Sequence, residues 1–457
     1  MTIFHSNGGV ASRSLLALII AGLLPAMTAC GADRVSGGDD HADAPTADAA
    51  FEVTTQVTPF GTFNGVPYLR YSGRFEGTTS LGAFRVPYEI IAPANPSRGN
   101  GVVLLEPPHF TFGPIGRETA LGRELLFGRG FSYAAVGFGV NGLNILDPLA
   151  TDAVIAGTPV ANPGTMQFAV PPDEEILIAF VRALRAEPFA VEALGNVDAI
   201  YAYGASQTAG ALLEALHAPG GRELFDLTML HVAMWRPPFG VGEFERSEGE
   251  FAPLSNVGRV VFVLSEGDQI VSDAEQFRRA ALLPDYRVYE VAGAPHLATP
   301  DNPLDHAAVM RAIFVAADLW VRENVAPPPS ALLEEAPAGA PDPVYGFETG
   351  IARDADGNAL GGVRLPDLHV GRSQFIAVDL SLPGLPITGT SVNLACAPAP
   401  DASGDAPRFQ NHGQYVSASV RQVNHLRRAR LLLPQDASML RHSAATSDVG
   451  GDGSCAR

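Results

Sequence analysis

The sequence predicts an α/β protein with a mostly parallel central sheet, helices on both faces of that sheet, and an irregular C-terminal extension. Apolar stretches of strand length alternate along the chain with stretches whose apolar residues recur at helical spacing. Several strand-length stretches are apolar throughout, which is typical of parallel strands buried on both faces. With 457 residues, of which 46% are hydrophobic, the chain is long enough to bury a large core.

The predicted strands are short, rich in Val, Ile, Leu and Tyr, and carry little charge. In chain order they are 66–71, 84–91, 101–105, 131–136, 197–203, 227–235, 259–264 and 287–291. The predicted helices are 116–128, 173–186, 209–217 and 303–324. Residues 141–170 are rich in Pro, Gly and Asn and show little periodicity, so we interpret them as an insertion at a strand end.

The first 30 residues indicate export. Arg13 precedes an apolar run, 15–24, that has the length of a signal-peptide core and is too short to span a bilayer. Residues 27–30, Met-Thr-Ala-Cys, resemble a bacterial lipoprotein cleavage box in which Cys30 becomes the lipidated first residue. Secretion without lipid and an uncleaved anchor are the alternatives. We expect a lipoprotein of the periplasm, outer membrane or cell surface that meets the membrane only through its lipid.

The remaining organisation follows from shifts in composition. Residues 31–50 are rich in Gly, Ala and Asp and predict a disordered tether, and we expect 51–325 to form the folded α/β core. A Pro/Ala linker, 326–343, leads to the extension, 344–457, which we expect to pack on the core. If Cys30 is acylated, Cys396 and Cys455 are left as one possible disulfide, which export permits.

The charge balance argues against two classes of partner. The chain carries 49 acidic and 30 basic residues, a net charge of −19, which does not favour binding to nucleic acid or to anionic membranes. Neither C-x-x-C nor H-E-x-x-H occurs, so no metal site is predicted. The segment 354–358, Asp-Ala-Asp-Gly-Asn, lacks the glycine position and distal Glu of a calcium loop, and we interpret it as a tight turn.

The predicted strand 197–203 is followed directly by a small-residue turn and then by a helix. The turn reads Gly204-Ala-Ser-Gln-Thr208. A strand, a sharp G-x-S turn and a helix make up a nucleophile elbow, which lifts the serine hydroxyl above the sheet edge. Gly204 has no side chain to collide with the neighbouring strand or helix. The second glycine of the usual pattern is replaced by Thr208. Ser206 is therefore the candidate nucleophile.

A serine nucleophile needs a base to take its proton and a carboxylate to orient that base. Two carboxylates follow the apolar strand 259–264. Asp268 is favoured because it comes after Gly267 and before the Ile-Val pair at 270–271, and Glu266 is the alternative acid. His296 closes a Gly/Pro loop after the last predicted strand, and an imidazole suits proton transfer near neutral pH. The competing histidines are His109, His217, His231 and His306, none of which lies in the loop directly after the last strand.

An oxyanion formed at this site must be held by backbone N–H groups. Gln207, at the head of the helix after the elbow, supplies one of them. The second is expected from the loop after strand 101–105, which reads Glu-Pro-Pro-His-Phe over 106–110. Because proline has no N–H, His109 or Phe110 is the candidate second donor.

Three of these segments together resemble a family of bacterial α/β-hydrolase domains, many of them exported. The elbow matches its G-x-S-Q-[ST] pattern, and 289–296 matches its strand ending in Gly-x-x-His. Residues 356–366 are similar to its C-terminal Gly-Asn-x-x-Gly-Gly-[IV]-Arg-x-Pro stretch. The resemblance spans roughly 66–366 and implies an α/β-hydrolase fold, ester hydrolysis, and catalytic roles for Ser206 and His296.

We therefore expect a serine carboxylester hydrolase that works through an acyl-enzyme intermediate with a Ser206–His296–Asp268 triad. Its substrate would be a small-molecule or polymeric ester, and the chemistry implies no cofactor. An acyltransferase or peptidase using the same triad is one alternative. A non-catalytic cell-envelope protein on a hydrolase scaffold is another, because a fold does not dictate a function.

Overall fold

The structure is a computed structural model, which describes residues 49–51, 55–80, 82–109, 113–137, 154–155, 158–159, 173–218, 220–233, 257–271, 274–380, 387–398, 400 and 407–450. Several predictions lie outside these residues: the signal peptide, nearly all of the tether, most of the insertion 141–170, Cys30, Phe110 and Cys455. Cys396 is disulfide-bonded. Among the described helices, none is both long and apolar enough to cross a membrane.

Twelve described strands join in one sheet, and two more form a separate hairpin. The strands are β1 (Ala50–Phe51), β2 (Gln56–Phe63), β3 (Val66–Thr79), β4 (Gly82–Pro93), β5 (Val102–Leu105), β6 (Ser132–Val136), β7 (Val154–Ile155), β8 (Thr158–Pro159), β9 (Ala199–Ala205), β10 (Leu227–His231), β11 (Arg259–Ser265), β12 (Tyr286–Val291), β13 (Ser373–Ile376) and β14 (Thr390–Asn393).

The helices flank the sheet and fill the extension. They are α1 (Arg123–Gly128), α2 (Asp173–Ala186), α3 (Pro188–Leu194), α4 (Gln207–His217), α5 (Glu266–Val271), α6 (Ala274–Ala281), α7 (Ala307–Glu323), α8 (Pro366–His369), α9 (His412–Arg428) and α10 (Pro434–Thr446), with a 3-10 turn at Pro96–Arg98 and a π-helix at Gly116–Ala120.

The sheet is mostly parallel, as predicted. Its main path runs β1-β3-β4-β6-β5-β9-β10-β11-β12. The six strands from β6 to β12 pair in parallel, and β2, β3 and β4 form an antiparallel edge. In a parallel sheet all carboxyl ends meet at one edge, so the residues that follow β5, β9, β11 and β12 lie close together.

Helices cover both faces, which confirms the predicted α/β layering. Along β9, Tyr201 and Tyr203 belong to one apolar cluster, together with Phe314 of α7. Ile200 and Ala202 point to the other face and belong to a second cluster, which includes residues of α2, α4 and α6. The alternation follows the two-residue period of a strand, so a continuously apolar strand contributes to both cores.

The predicted helix 116–128 is interrupted. The π-helix Gly116–Ala120 ends before Gly122, and α1 begins at Arg123. Gly122 has a φ of 85°, a conformation that glycine adopts without steric cost. The predicted helical stretch 116–128 is therefore divided between two short helical elements.

The extension shares the apolar cluster of the core, to which it contributes Val363, Leu368 and Val423, and the segment before it contributes Leu333. The segment predicted as a linker runs along the outer edge of β12, where Ala331 pairs with the backbone of Val288 and Glu290. Backbone groups at the sheet edge need partners, and this segment supplies them.

The extension also contains α9 and α10, for which the sequence shows no clear period. The buried face of α9 includes Ser419 and Gln422 beside Tyr415, Val423 and Leu426. Polar residues on the inner face weaken the apolar spacing from which a helix is predicted.

Candidate active site

The turn after β9 holds Ser206 in a strained conformation. β9 ends at Ala205, α4 begins at Gln207, and Ser206 between them has a φ of 54°, in the left-handed region. For a residue with a side chain this costs about 1–3 kcal/mol, which the surrounding structure must offset. The Ser206 N–H donates to the carbonyl of His231 at 3.0 Å, so the end of β10 fixes the turn.

Close packing of the chain explains Gly204. A Cβ atom there would lie 2.6 Å from the carbonyl oxygen of Thr208 and 2.7 Å from the nitrogen of Ala209. Thr208, where a second glycine is usual, is buried, and its hydroxyl bonds to the backbone of Ala205. The elbow therefore accommodates this threonine and uses its hydroxyl.

The structure brings together the three residues predicted as a triad. Nε2 of His296 lies 2.9 Å from Oγ of Ser206, and Nδ1 of His296 lies 2.6 Å from Oδ1 of Asp268. Both are hydrogen-bond distances. The Asp268 side chain is fully buried and that of His296 is 9% exposed. Oδ2 of Asp268 accepts the N–H of Ser265 at 2.8 Å, which fixes the carboxylate.

Glu266 does not contact His296. Its carboxylate accepts the Gly293 N–H at 2.6 Å and pairs with Arg353 at 2.5 Å. Burial raises the pKa of Glu266, and the charge of Arg353 partly offsets that effect. Of the two acids that the sequence leaves open, only Asp268 has the geometry to orient the histidine.

One predicted oxyanion donor has the right placement. Gln207 is the first residue of α4, and the first N–H groups of a helix have no partner within it. The N–H of His109, in contrast, donates to the Gly113 carbonyl at 2.9 Å. That amide is already used, so we do not assign His109 as the second donor. The loop's other candidate, Phe110, lies outside the described residues.

His109 nevertheless lies near the base. Its side chain is buried, and burial together with the charge of His296 lowers the pKa of His109 to about 4. The imidazole of His109 is therefore neutral near pH 7. His217, at the end of α4, bonds through Nδ1 to the Leu213 carbonyl of its own helix.

A buried hydrogen-bonded chain that the sequence did not predict runs behind the elbow. The Tyr203 hydroxyl lies 2.6 Å from Nδ1 of His231, and Nε2 of His231 lies 2.7 Å from Nδ1 of His306. Burial is the largest cause that lowers the pKa of both imidazoles. The sequence gives one indication that His231 has a role at this site, which is its position at the end of β10 after an apolar run.

Glu106 is a second residue that the sequence reasoning missed. It follows β5 directly, is buried, and accepts the N–H groups of Gly116 and Arg117 at 2.5 and 3.0 Å. Burial raises the pKa of Glu106 to about 7. Glu106 thereby closes the loop that begins with Pro107 and leads to His109.

The segment interpreted as a tight turn is one. Oδ1 of Asp354 accepts the N–H groups of Asp356 and Asn358, and Gly357 has a φ of 80°. The Asp354 and Asp356 carboxylates pair with Arg364 and Arg408. Within the described residues, no group of three or more His, Cys, Asp or Glu side chains is arranged to hold a metal ion.

Comparison with known proteins gives a family match. The model of a family described as "Alpha/beta hydrolase domain" matches residues 85–442, most of the chain. Among curated protein sequences, none matches significantly.

Solved structures with similar folds have low sequence identity. A cold-adapted esterase from an Arctic intertidal metagenomic library is 16% identical over 55% of this chain and 92% of its own, with a TM-score of 0.34. An esterase from Rhizomucor miehei is 14% identical over 51% and 79%, with a TM-score of 0.33. An a/b serine hydrolase without lid from Xanthomonas campestris is 14% identical over 50% and 86%, with a TM-score of 0.27.

Proposed function

The chain belongs to the alpha/beta hydrolase domain family, and on that premise we propose that it is a serine hydrolase that cleaves carboxylic esters through an acyl-enzyme intermediate. One observation carries the proposal: the unbroken hydrogen-bonded line from Oγ of Ser206 through the imidazole of His296 to the buried carboxylate of Asp268. This line has the geometry by which a hydroxyl is activated for acyl transfer.

Each residue has a defined role in this mechanism. Oγ of Ser206 attacks the ester carbonyl while Nε2 of His296 takes its proton. Asp268 accepts the Nδ1–H of His296 and stabilises the imidazolium that forms. The Gln207 N–H, at the positive end of α4, stabilises the oxyanion. His296 then protonates the departing alkoxide. Water attacks the acyl-enzyme while His296 takes its proton, and His296 returns that proton to Oγ of Ser206 as the acyl–oxygen bond breaks and the acid leaves. These steps need no cofactor.

Replacing the nucleophile tests the proposal. Ser206→Ala should remove hydrolysis of p-nitrophenyl esters and labelling by a fluorophosphonate probe. Ser443→Ala, at an exposed position on α10, is the matched control and should retain both. Undiminished labelling of the Ser206→Ala protein would rule out Ser206, and absence of both activities in the unmodified protein would favour a non-catalytic role. Products formed with added amine or alcohol acceptors distinguish hydrolysis from acyl transfer.

We also propose that the enzyme is an exported lipoprotein anchored through Cys30, on the sequence pattern of its first 30 residues. Expression in a bacterium with radiolabelled fatty acid should label the full-length protein and place it in the membrane fraction. Cys30→Ala should abolish the label. Labelling that persists in this variant would contradict the assignment.

A further inference from the structure

The C-terminal extension binds both segments that carry Asp268 and His296. We call them the acid loop, which is Ser265 together with α5 (Glu266–Val271), and the histidine loop, residues 292–302 after β12. The Leu297 N–H, next to the catalytic histidine, donates to the carbonyl of Ile387 at 2.8 Å. The buried Asn302 amide donates to the carbonyls of Gly293, on the histidine loop, and Ile376, on β13, at 3.0 and 3.2 Å. The histidine loop is thus held between the sheet and the extension.

Glu266 joins the acid loop to the histidine loop. It stands two residues before Asp268 at the start of α5, and its carboxylate accepts the N–H of Gly293, three residues before His296. A second hydrogen bond joins the same two loops, because the Gly267 N–H donates to the Ala294 carbonyl at 3.1 Å. A shift of Glu266 would therefore move both ends of the Asp268–His296 hydrogen bond.

Arg353 of the extension compensates the charge of Glu266. Nη1 of Arg353 lies 2.5 Å from Oε1 of Glu266, and its Nε and Nη2 atoms both lie 2.8 Å from Oδ2 of Asp342. The side chains of Glu266, Arg353 and Asp342 are 0%, 3% and 1% exposed. A carboxylate so deeply buried requires a counter-charge, and the planar fork of a guanidinium bonds to two carboxylates with fixed directions.

The packing leaves the acid loop little freedom to absorb a change at this ion pair. A Cβ atom at Gly267 would lie 3.2 Å from the nitrogen of His296 and 3.2 Å from the Ala377 carbonyl oxygen of the extension. Movement of the start of α5 is therefore passed on to Asp268 and to the histidine backbone. An ion pair far from these loops would have no such effect.

We propose that Arg353 is a positioning residue for the Asp268–His296 pair, so that the extension completes the catalytic site. This inference rests on the proposed ester hydrolysis. Arg353 does not touch the reacting atoms. It acts through Glu266, which sets the distance between the acid loop and the histidine loop.

The test uses the full-length protein and two variants. Arg353→Lys keeps the charge but loses the fork, and Glu266→Gln/Arg353→Met removes the buried ion pair while Gln can still accept the Gly293 N–H. Asp342 retains the Val344 N–H and the Thr349 hydroxyl as partners. Arg408→Lys is the matched control, because Arg408 makes a partly buried two-pronged pair with Asp356 wholly within the extension. Rates are expressed per site labelled by the fluorophosphonate probe.

We expect both test variants to lower kcat at least about tenfold while KM changes by less than about twofold, since misplacement of the triad affects the chemical step more than binding. The acid limb of the kcat/KM profile should move to lower pH, because a displaced Asp268 stabilises the imidazolium less. Arg408→Lys should change neither. A purely structural role would reduce the yield of folded protein but not the rate per labelled site.

Two results would overturn the proposal. One is a kcat per labelled site and an acid limb equal to those of the unmodified protein in both test variants. The other is failure of both to fold while Arg408→Lys folds, which would make the pair a determinant of folding only. Failure of the proposed function is seen separately, as absence of labelling and hydrolysis in the unmodified protein.

Discussion

Thr208 hydrogen-bonds to Ala205 on the opposite side of the nucleophile turn. Its Oγ1 accepts the Ala205 N–H at 2.8 Å and donates to the Ala205 carbonyl at 3.0 Å. Both residues are buried, so neither backbone group can turn to water instead. The residue that departs most from the usual elbow pattern is therefore one that stabilises this elbow.

Thr208→Val should weaken the elbow. Valine has the shape of threonine but leaves the two backbone groups of Ala205 without the hydroxyl, which costs about 1–3 kcal/mol of unfolding free energy for buried groups. Urea unfolding measures this loss, and the labelling rate of Ser206 should fall with it. Thr208→Ser, which keeps the hydroxyl, is the control and should lie close to the unmodified protein. Equal stabilities of the two variants would show that the hydroxyl contributes nothing.

Gly204→Ala should damage both stability and activity, because the added methyl meets backbone atoms that cannot rotate away. Overpacking of this kind costs about 1–3 kcal/mol. Gly210→Ala is a matched control six residues later in α4, where a Cβ atom meets nothing within 4 Å. In a helix interior that exchange should stabilise by up to about 1 kcal/mol. Urea unfolding and ester hydrolysis of both variants give the comparison, and a Gly204→Ala enzyme of normal activity would contradict the close packing.

Asp268→Asn should lower kcat by about 10³- to 10⁴-fold, because an amide no longer holds the imidazole in the required tautomer or stabilises its charge. The shape of the side chain and one acceptor oxygen are retained, so folding should survive. Asp305→Asn is the control: Asp305 lies near the site but its side chain is 60% exposed. Steady-state ester hydrolysis measures kcat for both variants. A large loss of kcat in the Asp305 variant with little loss in the Asp268 variant would show that Asp268 is not the triad acid.

His231→Gln should make stability less dependent on pH. Burial, with His306 as the second cause, lowers the pKa of His231 well below its usual value of 6.5. Below about pH 6.5 the unfolded chain therefore binds a proton that the folded protein does not. As the pH decreases through this range, the unfolding free energy decreases by up to about 1.4 kcal/mol per pH unit. Without His231 that part of the slope should disappear.

Urea unfolding from about pH 7 to about pH 5 measures the difference in slope. Burial raises the pKa values of Glu106 and Glu290 to about 7, which gives slopes of the opposite sign. Both carboxyls are present in both proteins, so their effect cancels in the comparison. His442→Gln, at an exposed position, is the matched control for the loss of a histidine. Identical slopes for the His231 variant and the unmodified protein would contradict the prediction.

Sequence reasoning predicts the central sheet because its strands consist almost entirely of apolar residues. β9 and β11 are apolar along almost their whole length, and polar catalytic candidates follow each of them at the carboxyl end. The parallel arrangement then brings the ends together without any knowledge of loops. For this reason local sequence alone predicts Ser206 and His296, and it narrows the acid to Asp268 or Glu266.

Contacts between distant segments are not visible in such patterns. Glu266 and Arg353 are 87 positions apart, and nothing near either residue indicates the other. The choice between Glu266 and Asp268 depends on that contact, since Arg353 engages Glu266 and leaves Asp268 for the histidine. The Tyr203–His231–His306 chain likewise spans three separate elements.

The segment along β12 has a practical consequence for anyone who shortens this protein. In β12 the Val288 N–H donates to the Ser330 hydroxyl and the Val288 carbonyl accepts the Ala331 N–H. The Glu290 N–H donates to the Ala331 carbonyl, and the Glu290 carbonyl accepts the Val363 N–H. A truncated chain ending at Val325 would keep Ser206, Asp268 and His296 but expose the edge of a buried parallel sheet. An exposed edge of that kind pairs with other copies, so we expect such a fragment to accumulate as insoluble aggregate.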